Sequence, residues 1–185
     1  MFSAWSVNCQ RASGRSSSIT HRAMSDASIV GLISDTHGLL REEALSALQG
    51  SDLIIHAGDV GNAEIIEKLS AVAPVVAVRG NVDQGAWASR LPRTAVVEAG
   101  STLIYVLHDI QQLGLDPVVS EFNIVISGHS HKPGSSERRG VRYINPGSGG
   151  PRRFQLPVTV ARLSLDQKPW AVDFIDLLSG EKRLP

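Results

Sequence analysis

From Ser28 onward the chain switches repeatedly between two hydrophobic periods. "SIVGLIS" is a short apolar run bounded by polar residues, the pattern of a buried strand. Through "LLREEALSALQG", Leu40, Ala44, Ala47 and Leu48 recur at near-helical spacing, with Glu42 and Glu43 suited to the first turn and Gly50 to the end. "DLIIHAGD" predicts a second strand, and "NAEIIEKLSAVAP" a second helix capped by Asn62 and ended by Pro74. "VVAV" follows as a third strand. Strand, helix, strand, helix, strand implies a parallel sheet built from right-handed crossovers.

The second half is richer in strands. "TAVVEAG" and "TLIYVLHD" predict two strands joined by a tight turn at Gly100, and "IQQLGLD" a short helix or turn. "FNIVISGHSH", "VRYINPGS", "LPVTVARLSL" and "WAVDFIDLL" complete the set. β/α units followed by strands predict an α/β domain over residues 28–185, with two packed sheets and outer helices. Residues 1–27 lack both periods, are Ser-rich, carry three Arg and hold no acid before Asp26. They read as a poorly ordered leader: either the native start is Met24, or the segment is an organelle transit peptide.

Composition excludes more than it identifies. Lys plus Arg and Asp plus Glu both number 18, which removes any global polyanion-binding signature. The single cysteine, Cys9, offers neither an internal disulfide nor a cysteine metal cluster. No apolar run approaches the roughly 20 residues that cross a bilayer. The expectation is a cytoplasmic protein, or an imported one if the leader is a transit peptide.

The polar residues that end the apolar runs change the picture. "SDTH", "AGDVGN", "RGNVD", "LHD" and "SGHSH" each follow such a run, and in an open parallel sheet the carboxyl ends of strands form the ligand-binding edge. Asp35, His37, Asp59, Asn81, His108, His129 and His131 are therefore expected to converge. Each alone has an ordinary explanation as a cap, a turn residue or a core histidine, but five such ends in one chain do not. Imidazole, carboxylate and amide oxygens suit borderline divalent ions: Mn, Fe, Ni, Co or Zn. A carboxylate can bridge two ions about 3.5–4 Å apart, which together orient a phosphate and activate water. His56 is expected to pack beneath this edge rather than join it.

Asp35-x-His37, Gly58-Asp59 with Asn62, Gly80-Asn81-x-Asp83, His108 and Gly128-His129-x-His131 resemble the calcineurin-like metallophosphoesterase superfamily. The short chain and "NPGSGGPR" resemble its small bacterial and archaeal branch, the minimal phosphodiesterases. The resemblance implies a four-layer αββα sandwich of two mixed sheets. It also implies two divalent ions: Asp35, His37 and His131 on the first, Asn81, His108 and His129 on the second, and Asp59 bridging. Asp59, Asn81 and Asp83 would be the catalytic set, with Asp83 supporting rather than ligating. The implied reaction is hydrolysis of a phosphodiester by in-line attack of a bridging hydroxide.

Two departures from the family pattern bear on that expectation. Many larger relatives carry histidine after the metal-binding asparagine, where it can protonate the leaving oxygen; the small branch often lacks it, and here the residue is Val82. The missing general acid is a role worth 10²–10⁴-fold. His108 is followed by Asp109, where many relatives have glycine. Lys132 to Arg153 holds six Lys or Arg against one acid, Glu137; within it Arg152 and Arg153 can contact a phosphate, and Arg152, with Asn81, is the expected substrate contact. The expected partner is a small phosphodiester, nucleotide-derived or not, with no sequence-specific nucleic-acid readout and with oligomeric state open. The alternatives on the same fold are a protein-binding scaffold, as in the retromer relative with its altered metal site, and a metal-binding regulatory module.

Overall fold

The computed structural model describes residues 19–24 and 27–183. Twelve strands form two mixed six-stranded sheets. The first contains β1 (Ile19–Met24), β5 (Thr94–Ala99), β6 (Thr102–Leu107), β7 (Ile124–Ile126), β8 (Gly134–Arg138) and β9 (Val141–Asn145), in the order β1-β5-β6-β7-β9-β8. The second contains β2 (Ile29–Ile33), β3 (Leu53–His56), β4 (Val75–Ala77), β10 (Thr159–Ser164), β11 (Ala171–Asp176) and β12 (Lys182–Arg183), in the order β12-β11-β10-β2-β3-β4. Strands β2, β3 and β4 pair in parallel, as the β/α alternation requires. Helices α1 (Glu42–Ala47) and α2 (Ala63–Ser70) make the crossovers, and Asn62 caps α2 by accepting from the Ile65 amide.

The period of two sorts side chains between layers. Leu53 and Ile55 of β3 face the core between the sheets, meeting Val97, Ile104, Val106 and Ile126 from the other side. Ile54 points the opposite way, into a second cluster with Leu48, Ile65 and Leu69 under the helices. On the outer face of the first sheet, Tyr105, Leu107 and Val125 pack against Leu113, Leu115 and Phe122. A 3₁₀ turn, Ile110–Gln112, begins that cover. This is an α/β sandwich of two mixed sheets flanked by helices, the expected architecture.

Four elements depart from the hydrophobic pattern. The short helix α3 (Gly85–Ala88) and the terminal strand β12 carry too few residues to show a period. Strand β8 is the polar "GSSER", held to β9 through a hairpin whose two turn residues, Arg139 and Gly140, both have positive φ. Strand β1 falls within the segment expected to be an unstructured leader; it pairs in parallel with β5 from Ile19↔Thr94 to Met24↔Ala99. Main-chain pairing to an open edge fixes it, and a strand held that way needs no alternation. Residues 1–18, 25 and 26 of the same expectation lie outside the described residues. Among the described residues, no helix is long and apolar enough to cross a membrane.

Candidate metal centre

The carboxyl ends of β2, β3, β6 and β7, with the loop after β4, meet at one edge. Backbone hydrogen bonds bind these loops together. The Asp35 amide donates to the Gly58 carbonyl and the His37 amide to the Asp59 carbonyl, both at 2.9 Å, and Gly128 N–H donates to the His108 carbonyl. The packing tolerates no side chain at Gly80, where a Cβ would lie 2.1 Å from both the amide nitrogen and Oδ1 of Asp59. At Gly128 a Cβ would stand 2.7 Å from Asp35 Oδ2.

Eight non-glycine residues among those described have positive φ, and five of them are Asp35, His37, Asp59, His129 and His131. That conformation costs an ordinary residue about 1–2 kcal/mol. It persists only where the surroundings dictate it, and such strain clusters at functional sites.

Two overlapping groups of donor atoms result, each with members within 4.8 Å of one another: Asp35, His37 and His131, and Asp35, Asp59 and His108. Asp35 thus belongs to both, whereas Asp59, the expected bridge, belongs to the second. In the first group, His131 Nε2 lies 3.2 Å from Asp35 Oδ1 and 3.3 Å from His37 Nε2. His37 Nε2 is 3.9 Å from Asp35 Oδ1 and 3.8 Å from Asp59 Oδ2. In the second, His108 Nδ1–H donates to the Ala57 carbonyl at 2.8 Å, which leaves Nε2 as a lone pair facing Asp59 Oδ2 at 3.3 Å. That approach is close but not along a hydrogen-bonding line, so His108 Nε2 and Asp35 Oδ1 are both buried without a hydrogen-bond partner.

Buried acceptors facing one another at such distances are costly unless a proton or a cation is shared between them. The donor set, nitrogen and carboxylate oxygen, fits divalent ions of the borderline class. The two clusters are positioned to coordinate divalent metal ions, as the five apolar-run ends predict.

The remaining expected residues take distinct places. Asn81 is exposed, with Nδ2 3.3 Å from His129 Nδ1, and the His129 ring stands edge-on to His108 at 5.2 Å. Both lie beside the second cluster. Asp83 is buried and touches no imidazole: Oδ1 accepts from the Gly61 amide at 2.8 Å and Oδ2 from Gly80 at 2.7 Å. Asp109 caps the 3₁₀ turn and lies 4.0 Å from His129 Nε2. Arg152 is not brought to the cluster; it lines a separate cavity with Gln155, Pro157 and Asp176. Its neighbour Arg153 reaches the site instead, Nη2 standing 3.4 Å from His37 Nε2.

His56 packs beneath the edge, as expected. The Gly58 amide donates to its Nδ1 at 3.2 Å, so the ring proton is on Nε2 and is donated to Thr36 Oγ1 at 2.9 Å. Thr36 in turn donates to the Val60 carbonyl. This relay ties the Asp35 loop to the Asp59 loop.

Electrostatics match the geometry. Full burial holds His56 down at about 4, against the pull of the Asp35 and Asp83 charges. Burial alone would raise Asp59, but the His108 contact, the Val82 amide and the His108 and His37 charges outweigh it and lower it to about 2. His37 lies below its ordinary value through burial, opposed by Asp59 and reinforced by Arg153. Burial likewise lowers His108, but contacts with Asp59 and the Ala57 carbonyl outweigh it and raise the group overall.

Comparison with known proteins agrees with this site. The sequence profile of the Calcineurin-like phosphoesterase superfamily domain matches residues 29–168. A probable metallophosphoesterase of Methanocaldococcus jannaschii is 34% identical over 153 residues, covering 76% of this chain and 77% of that protein. A phosphoesterase from E. coli superposes with TM-score 0.67 at 23% identity, covering 84% and 97% of the two chains. Vps29 of Entamoeba histolytica, solved with zinc, superposes with TM-score 0.69 at 21% identity, covering 84% and 96%. At these identities the two structures speak for the fold alone.

Proposed function

Because the chain belongs to the calcineurin-like phosphoesterase superfamily, we propose that it is a metal-dependent phosphoester hydrolase that prefers phosphodiesters. The observation that carries this is the convergence of strained Asp and His residues into two donor groups sharing Asp35. In this reading Asp35, His37 and His131 hold one ion and Asn81, His108 and His129 the other, with Asp59 between them. Bound divalent ions would polarise the phosphoryl oxygens and lower the pKa of water at the site.

The chain's own residues position the substrate. Asp83 clamps the Gly61 and Gly80 amides and so fixes the two loops that carry Asp59 and Asn81. The exposed Asn81 amide and the Arg153 guanidinium flank the cluster, where each can donate to a phosphoryl oxygen. Arg153 takes the contact expected of Arg152.

Val82 has two parts to play. Its amide donates to Asp59 Oδ1 at 3.0 Å, fixing the orientation of a carboxylate that would help hold the ions. Its half-exposed isopropyl group has no proton to give, so the leaving oxygen departs unprotonated by this residue. Esters with acidic leaving groups are favoured accordingly.

The test is hydrolysis of bis(4-nitrophenyl) phosphate and 4-nitrophenyl phosphate by chelated protein, before and after addition of Mn²⁺, Ni²⁺, Co²⁺ or Zn²⁺. The expected result is no turnover after chelation, recovery with ions, and faster cleavage of the diester. Full ion loading without turnover of either ester would contradict the proposal and make the chain a scaffold or a regulatory metal-binding module.

A further inference from the structure

On one side the metal-binding edge opens into a cavity of about 290 Å³. Its wall begins at Asn81 and His108, so the cavity is continuous with the second donor group. Two arginines, Arg79 and Arg93, also line it. Arg79 immediately precedes Gly80-Asn81, and Arg93 immediately precedes β5. The backbone fixes both. The Arg79 amide donates to the Pro92 carbonyl at 2.8 Å, and the pairing of Thr94 with Leu107 sets Arg93 at the level of His108.

Arg79 is half-buried and Arg93 is exposed, and among the described residues no ion pair or hydrogen bond engages either guanidinium. The acid on the same wall, Asp109, already accepts from the Gln111 amide and from the Gln112 side chain. A partly desolvated cation without a counter-ion is a cost to the fold unless an anion arrives to meet it. In such surroundings an arriving anion is also held more strongly than in open water. An Arg fork matches the oxygens of a phosphate or carboxylate, and two arginines line this cavity. The rest of the wall is Tyr105, Leu107 and Leu115, a surface suited to a short organic linker. At about 30 Å³ per water, the volume accommodates roughly ten heavy atoms, the size of a short linker with one anionic group.

We propose that this cavity is an anion subsite, and that the preferred substrate carries a second anionic group on a short linker from the scissile phosphoester. This rests on the hydrolase reading for the identity of the scissile group, but its test needs no turnover. Propylphosphonate, 3-phosphonopropionate and propane-1,3-diphosphonate share one anion and differ in the second: none, a carboxylate or a phosphonate. Their affinities for the metal-loaded protein are measured by titration calorimetry for wild type, Arg79→Gln and Arg93→Gln.

One charge-assisted contact is worth about tenfold in affinity. At least one two-anion probe is therefore expected to bind about tenfold more tightly than propylphosphonate to wild type, and which one does so identifies the second group. In each variant that ratio falls toward one; because it is a ratio, it does not depend on the fraction of active protein. Equal affinity for all three probes in wild type would overturn the proposal, as would a ratio preserved in both variants. A protein that discriminates the probes but cleaves no ester would refute the hydrolase reading and leave the anion subsite standing.

Discussion

The two halves of the metal edge differ in how much of their chemistry faces water. Around the first group, Asp35 is fully buried, the His131 side chain is 8% exposed and that of His37 is 11% exposed. Around the second, His108 is buried, but His129 is 43% exposed and Asn81 is open to solvent. The first half rests on the buried relay from His56 through Thr36, whereas the second opens into the cavity of Arg79 and Arg93. On the proposed function, the closed half would retain an ion and the open half would admit a ligand. A residue's effect on ion retention or on turnover should follow the half to which it belongs.

Asp59 faces both halves, so its loss is expected to be the largest. Asp59→Asn should lower kcat/KM by about 10³-fold, beyond the 10–100-fold typical of residues that only support metal ligands. Asn62→Ala, which removes a helix cap, should cost stability of about 1 kcal/mol and little rate. Steady-state kinetics and urea unfolding on both variants would check this; comparable rate losses would put Asp59 outside the centre.

Next in size is the contrast between His131 and His129. His131→Ala should deplete the closed half of its ion, read as one fewer ion per chain after dialysis. His129→Ala should retain that ion and lower kcat instead. If both variants lose ion and rate alike, the two halves are one undivided site.

Much of this edge is legible in the sequence because each ligand loop follows an apolar run and therefore falls at a strand end. Asp35, His37, Asp59 and His108 could be placed together for that reason alone. The left-handed backbone of Asp35, His37, Asp59, His129 and His131 has no signature in the sequence, because it is imposed by the folded loops and not by the side chains. Strand β1 was illegible because main-chain pairing with β5 holds it, and β8 because its polar "GSSER" depends on the Arg139-Gly140 turn. Arg152 and Arg153 are adjacent, and only the loop's path decides which of them reaches His37. Arg79 carried a signal, its place beside Gly80-Asn81; Arg93 carried none before the register of β5 on β6 set it opposite His108.

The relay beneath the closed half makes a pH prediction. His56 titrates at about 4 in the folded protein against an ordinary 6.5, so on acidification the unfolded chain takes up the proton first. Its contribution to stability is complete above pH 6.5 and is lost as pH falls toward 4. Between pH 7.5 and 5 this amounts to about 2 kcal/mol. Urea unfolding of chelated wild type should show that loss, and His56→Gln should show a shallower dependence; identical slopes would remove His56 as its source.

The smallest effect expected concerns the open half. Val82→His, with ion content confirmed unchanged, should flatten the dependence of rate on leaving-group pKa across a series of aryl phosphodiesters. An unaltered slope would show that no proton donor is missing at position 82.

The account's central claim is that two ions act together at this edge to cleave a phosphoester. Its most direct test is a titration of chelated protein with a divalent ion, following bound ion by elemental analysis and diester hydrolysis on the same samples. The account predicts saturation at two ions per chain, with little hydrolysis at one equivalent and most of the rate arriving with the second. Saturation at one ion, or full hydrolysis by the ion-free protein, would contradict it.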